Sequence, residues 1–249
     1  MNGLLHTACR KAKDFEHAIL RVYKELDATL RTLIPTKSVV LAFDGPGPLA
    51  KLLTQRKRRN KSSKASKYKL SGLHITPGTK FMQTMREACE YYAALRLVAS
   101  AKFKNVAFYI SGADVAGEGE IKIIEWIHNL LQNQNDEKII IVGGDADLVL
   151  QGLAVLRVKD LFVYAGKDMS QHPSSRKAKG KSSPSIVLSM WEVVRSLERL
   201  FPGQSQAVRA DLIVLMIMNG NDYLPKVRGG SFESFFRAYK KVKAMIGVH

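Results

Sequence analysis

Apolar residues recur at helical spacing through residues 14–33, at Phe15, Ile19, Val22, Leu26, Leu30 and Leu33, and Pro35 ends the run, which predicts an amphipathic helix. The unbroken apolar stretch Val39-Val40-Leu41-Ala42-Phe43 then reads as a short buried strand, stopped by Asp44 and the turn residues Gly45-Pro46-Gly47-Pro48. Helices are predicted over 49–59 and 81–101, the second with Met85, Cys89, Tyr92, Leu95 and Val98 on its apolar side. Strands follow at 106–110 and 139–142, with a helix over 120–132 between them. Nearly continuous apolar strands separated by helices predict an α/β fold with a mostly parallel central sheet covered on both faces. Farther along, 161–165 reads as a strand, 186–200 and 206–219 as helices, and 232–246 as a basic terminal helix.

Charge changes this picture from a generic α/β domain to one with a polyanionic partner. The 249 residues contain 39 Lys and Arg against 22 Asp and Glu, a formal net charge of +17, yet 46% are hydrophobic. That apolar share supports a core, so the excess is carried by a folded protein and points to nucleic acid before a membrane or an acidic protein. The two cysteines, Cys9 and Cys89, have no metal-ligand spacing and read as buried thiols in a reducing compartment. No apolar run is long enough to span a bilayer, and the first residues lack a signal-peptide core. Asp14, Glu16, Glu25 and Asp27 in the first long helix argue against a targeting peptide.

The carboxylates are arranged unevenly. Asp44 ends the first strand; Glu118 and Glu120 bracket Gly119 at a helix start; Asp145 and Asp147 follow the 139–142 strand; Asp222 comes after the apolar run 212–218. Helix capping explains one acid in each pair, and turn preference explains Asp44, but none of this explains the second members. Asp222 stands at a helix end, where an acid is electrostatically unfavourable and calls for a compensating cation. Acids gathered at strand ends repel one another unless cations lie between them, and a paired divalent site is the usual reason to gather them.

The bases are uneven too. No acid occurs between Gly45 and Arg86, whereas Lys51, Arg56, Lys57, Arg58, Arg59, Lys61, Lys64, Lys67, Lys69 and Lys80 do. On a helix, Lys51, Gln55, Arg58 and Arg59 are neighbours, a face suited either to a terminal phosphate or to general backbone contact. Basic insertions are predicted at 60–70 and at the Ser-, Lys- and Gly-rich 167–184.

Five blocks in order resemble the N-terminal nuclease region of the XRN family of 5′→3′ exoribonucleases. They are Asp44–Lys51 with Gln55–Arg59, Thr76–Met82, Gly117–Lys122, Gly144–Leu148 and Gly220–Pro225. The resemblance implies a PIN/FEN-like metal-nuclease core over 1–225, with 226–249 a basic helical extension. It implies that Asp44, Glu118, Glu120, Asp145, Asp147 and Asp222 are catalytic and hold Mg²⁺, two ions with Mn²⁺ as a substitute, and that Lys51, Gln55, Arg58 and Arg59 receive a 5′-monophosphate. His6 matches a family histidine that stacks on the terminal base. In the family a further metal-binding aspartate immediately precedes the segment matching Met1-Asn2-Gly3, and a second conserved region that walls the site follows; neither is in this sequence. Leu49 stands where the family has an arginine.

The function expected is therefore metal-dependent 5′→3′ hydrolysis of single-stranded, 5′-monophosphorylated RNA to nucleoside monophosphates, with a protein or ribonucleoprotein partner supplying the missing wall. The expected setting is intracellular, in nucleus or cytoplasm, with an organelle open. The competing expectations are a non-catalytic RNA-binding component of a ribonucleoprotein particle that retains the fold, and an endonuclease of the same metal-nuclease type.

Overall fold

Two parallel strands, β1 Ser38–Ala42 and β2 Ala107–Ser111, form the centre of the first of two units, Met1–Ile127. Their register sets Val40 against Tyr109 and Ala42 against Ser111, so the carboxyl ends of both strands finish at the same level. The computed structural model describes residues 1–10, 12–64, 70, 72–132, 137–155, 159–166 and 185–246, without the side chains of 58, 59, 61–64 and 246. The predicted insertion at 167–184 lies outside the described residues, as do 65–69 of the one predicted at 60–70.

The helices of this unit form where the apolar spacing requires them. Helix α1 Asn2–Arg10 buries Leu5, Ala8 and Cys9, and α2 Phe15–Leu33 buries Ala18, Val22, Leu26 and Leu30, a stripe repeating every three to four residues. Asp14 caps α2 by accepting a hydrogen bond from the His17 amide at 2.7 Å. Helix α3 Leu49–Lys64 runs on through 60–64, which the sequence pattern had assigned to an insertion. Helix α4 Lys80–Ala99 starts at Thr79, whose hydroxyl accepts from the Met82 amide, and packs on α2 and β2. Its buried residues are Phe81, Met82, Met85, Cys89, Tyr92 and Ala93. Leu95 and Val98, expected on the apolar side, are 43% and 88% exposed. At about 100° per residue, Leu95 lies about 120° and Val98 about 180° around the helix from Cys89, so both fall off the stripe that Met85, Cys89 and Tyr92 bury, whereas Arg96 falls on it and stays half-buried against Asp27.

One polar network crosses this core. The Tyr92 hydroxyl donates to Asp27 at 2.5 Å, and Arg96 bonds the same carboxylate at 2.9 Å. Burial and the adjacent Asp27 hold the Tyr92 phenol well above its ordinary range. Cys9 and Cys89 are buried free thiols, as the sequence implied, and burial pushes them up to about 11 and about 12.

The second unit, His128–His249, centres on a three-stranded sheet in the order β3 Ile139–Val142, β4 Leu161–Ala165, β5 Ile186–Ser189. Strands β3 and β4 are parallel, and β5 is antiparallel to β4. Residues 186–189 are thus a strand, although the sequence pattern predicted helix from 186. The helix α7 Met190–Leu200 begins only after the Ser189 cap, whose hydroxyl accepts from the Glu192 amide. The β-branched pair Ile186-Val187 can follow a strand period as readily as a helical one, and pairing with β4 decides between them. Helices α6 Ala146–Ala154 and α7 pack on β4; α8 Ser205–Met218 packs on α6 and α7, and α9 Phe232–Ile246 on α8.

The class is therefore α/β, with parallel strands flanked by helices. The strands are less enclosed than expected: Tyr109, Ile140 and Val142 are each about two-fifths exposed. Among the described residues no helix is long and apolar enough to cross a membrane.

One backbone feature yields a test. Ile34, the C-cap of α2, has φ +46° and ψ 70° and is 65% exposed, a left-handed conformation that a β-branched side chain resists and glycine adopts freely. Ile34→Gly should raise stability by about 1 kcal/mol, measured as a higher urea midpoint at unchanged m-value.

Candidate functional site

Asp44 leaves β1 directly after Phe43, whose amide donates to Ser111 O at 2.9 Å and so extends the β1–β2 pairing. Its own amide donates to the Asn2 side chain at 3.1 Å, which ties the start of α1 to this strand end, and the Met1 amino group donates to Ala42 O at 2.9 Å. Asp44 Oδ1 accepts from the Gly119 amide at 2.8 Å, at the N-terminus of α5 Gly119–Gln132. A strand-end carboxylate thus meets a helix start, where exposed amides favour negative charge. Two backbone bonds, Gly45 N to Gly117 O at 2.9 Å and Gly117 N to Pro46 O at 3.1 Å, fasten the two loops together.

Glycine is required between the two glutamates. A Cβ on Gly119 would lie 2.9 Å from Ala42 O and 3.1 Å from Asp44 Oδ1, closer than either neighbour can give, since one is backbone and the other is held by the Gly119 amide itself. Glu118 is 6% exposed. Its Oε2 bonds Lys51 Nζ at 2.5 Å, while Oε1 is buried with no hydrogen-bond partner. A buried carboxylate oxygen without a partner is costly. Glu120 is half-buried in the first turn of α5.

Lys51 and Gln55 are one turn apart on α3. The Gln55 amide lies over Gly47, where a Cβ would come within 2.8 Å of Nε2 and 3.5 Å of Glu118 Oε1. The predicted phosphate-binding pair and the predicted metal ligand Glu118 are therefore neighbours. The Arg58 and Arg59 side chains lie outside the described residues; the helix that carries them continues past both. Leu49, Leu52 and Leu53 are exposed on α3. His6 is exposed one turn beyond Asn2 on α1, which places it on the helix face that meets Asp44.

Lys122, the last residue of the Gly117–Lys122 block, has no role predicted from the sequence. Its ammonium, in a residue 9% exposed, donates to Phe43 O at 2.9 Å and Gly112 O at 2.8 Å, so α5 pins the ends of β1 and β2 together. Burial pushes it below the ordinary lysine range, and Asp44, Asp114 and Glu125 partly offset that. A basic residue four positions after an acid at a helix start was the available signal, but its burial could not be read from spacing.

In the second unit, Asp145 and Asp147 open α6 directly after β3. Asp145 occupies the N-cap with φ −85° and ψ 141°, yet its side chain makes no cap hydrogen bond, so capping does not account for this carboxylate. Both are exposed. Asp222 sits in a tight turn after α8. Gly220 at φ +88° turns the chain, with Lys226 so close that a Cβ would lie 2.8 Å from its amide. The Asn221 side chain accepts from the Tyr223 and Leu224 amides at 2.9 and 2.8 Å. The Gly-Asn pair fixes the turn and leaves Asp222 half-buried beyond the helix end, as the sequence implied.

Among the described residues no three His, Cys, Asp or Glu side chains stand close enough together to hold a metal ion between them. The donor chemistry nevertheless fits a hard divalent cation: all the candidates are carboxylates, and the buried, unpartnered Oε1 of Glu118 is an oxygen that a cation would satisfy.

A family model described as the XRN 5′-3′ exonuclease N-terminus matches residues 1–74 and 67–163. The chain is 27% identical to 5′-3′ exoribonuclease 2 of Candida albicans, over 97% of this chain and 31% of that protein. It is 26% identical to 5′-3′ exoribonuclease 1 of Schizosaccharomyces pombe, over 99% and 22%, and 25% identical to 5′-3′ exoribonuclease 1 of Saccharomyces cerevisiae, over 97% and 18%. It spans under a third of the length of these relatives. With strand-end acids, a basic α3 and a model match over more than half its length, the chain belongs to the XRN 5′-3′ exonuclease N-terminus family, a PIN-like nuclease domain.

Proposed function

We propose that this chain hydrolyses RNA from a 5′-monophosphorylated end and releases nucleoside monophosphates in a divalent-metal-dependent reaction. The observation that carries the reading is Glu118, whose buried carboxylate has one oxygen on Lys51 and the other unpartnered, one residue before the Gly119 amide that holds Asp44. The carboxylates assigned to metal binding are Asp44, Glu118, Glu120, Asp145, Asp147 and Asp222. Bound Mg²⁺ would supply activation of the attacking water and stabilisation of the departing 3′-oxygen.

The remaining roles fall to the chain's own side chains. Lys51 and Gln55, with Arg58 and Arg59 farther along α3, would take the oxygens of one terminal phosphate and so fix which end of the RNA enters. His6 would stack on the terminal base, a contact that tolerates any base because every base offers a π-face. Neither phosphate contacts nor stacking reads base edges, so sequence preference would be weak. Lys122 and Gly119 would hold Asp44 and Glu118 in place without touching substrate. The names of the relatives support the polarity and the RNA substrate.

The test uses 5′-monophosphate, 5′-hydroxyl and circular RNAs of one sequence with Mg²⁺. The 5′-monophosphate RNA should release mononucleotides at least about tenfold faster than the 5′-hydroxyl RNA, the difference expected for loss of a charge-assisted contact, and the circle should stay intact. Equal rates on both linear RNAs would remove the end-recognition claim. A cut circle would establish an endonuclease, and tight RNA binding without product under Mg²⁺ or Mn²⁺ would leave the non-catalytic RNA-binding reading.

A further inference from the structure

The ion pair between Lys51 and Glu118 joins two residues to which the proposed function gives separate tasks, one on the phosphate and one on the metal. The contact is 2.5 Å long, and the side chains are only 14% and 8% exposed. In that state the Lys51 charge is spent on Glu118. A terminal phosphate would have to compete with a largely desolvated carboxylate for the same ammonium, and a metal ion would have to bind a carboxylate that already carries a cation.

We propose that Lys51 and Glu118 form an exchangeable pair: the ammonium occupies Glu118 until a divalent cation displaces it, and the displaced Lys51 then becomes a donor to the 5′-phosphate. This inference rests on the function proposed above and adds to it a coupling between metal and substrate end. Three features carry it. Glu118 Oε1 is buried with no partner, so the carboxylate has an oxygen at which an incoming cation can begin to bind before Lys51 leaves. The second buried ammonium nearby, Lys122, is committed to Phe43 O and Gly112 O and cannot take over this exchange without breaking both strand-end contacts. Lys51 projects from the surface helix α3 on a flexible four-carbon stem, one turn from Gln55, so a short swing moves it from carboxylate to phosphate while the helix stays fixed.

A divalent ion at Glu118 would place two positive charges within a few ångströms of the ammonium and turn attraction into repulsion. The freed lysine strengthens phosphate binding, and by linkage a bound 5′-phosphate that draws Lys51 away strengthens metal binding by the same factor. The protein would therefore select 5′-monophosphate ends strongly only when metal is bound.

The experiment reads binding and not turnover. In EDTA, where no hydrolysis occurs, the affinities of a 5′-monophosphate and a 5′-hydroxyl decamer are compared by fluorescence anisotropy for wild type and Glu118→Gln. The amide cannot hold the ammonium as an ion pair, so the variant should gain about tenfold in its preference for the monophosphate end, within the usual range of such couplings. Separately, Mn²⁺ affinity without RNA is measured by electron paramagnetic resonance for wild type, Lys51→Met and Lys51→Gln, each checked for folding by circular dichroism. Both lysine variants should bind Mn²⁺ about tenfold tighter, because no ammonium competes, and the second serves if the first fails to fold. Mn²⁺ affinity unchanged or weakened in the folded lysine variant would overturn the exchange, as would a Glu118→Gln preference no greater than wild type. The Mn²⁺ arm contains no RNA, so it separates failure of the exchange from failure of the substrate reading, which would show as no preference for the monophosphate end in any variant, with or without metal.

Discussion

The contact on which the rest of the first unit depends is the 2.8 Å hydrogen bond from the Gly119 amide to Asp44. It requires the first turn of α5 to lie against the end of β1 at a separation no side chain at 119 would permit, because a Cβ would meet Ala42 O at 2.9 Å. Everything nearby serves that approach. The Gly45 and Gly117 backbone bonds hold the two loops together, and Lys122, one turn into α5, reaches back to the carbonyls of Phe43 and Gly112. With the helix start seated, Glu118 is buried against Lys51.

Burying acids in this way is unfavourable unless positive charge follows them. The chain supplies it from two directions with different purposes. Lys122 enters from α5 and is fixed by two carbonyls, whereas Lys51 enters from the exposed helix α3 and rests on the carboxylate itself. The first ammonium holds the framework; the second can be exchanged.

Much of this was legible in the sequence. The strand-end positions of Asp44 and of Asp145 followed from short apolar runs broken by glycine and proline, and the buried cysteines followed from their lack of any ligand spacing. What stayed hidden depends on tertiary packing. Ile186 and Val187 became a strand because β4 offered a partner, which a local pattern cannot show. Leu95 and Val98 are exposed for a local reason: they stand six and nine residues after Cys89, out of phase with the stripe that Met85, Cys89 and Tyr92 bury. Lys122 reads as a surface lysine until the strand ends are placed around it. Asp145 matches an N-cap in sequence and in backbone angles, and only the missing cap bond shows that the carboxylate is free of that duty. His6 kept its family role as an expectation; the structure adds that it shares a helix face with Asn2, which touches Asp44.

The central claim is that the carboxylates serve chemistry while the basic residues serve binding. The measurement that tests it most directly compares wild type with Asp145→Asn/Asp147→Asn for Mg²⁺-dependent nucleotide release and for RNA affinity in EDTA. The account predicts that release falls by at least about a hundredfold as metal ligands are lost, while metal-free affinity holds or rises because two negative charges near phosphate have gone. A variant that releases nucleotides at the wild-type rate, or that loses RNA affinity in EDTA along with activity, would contradict it.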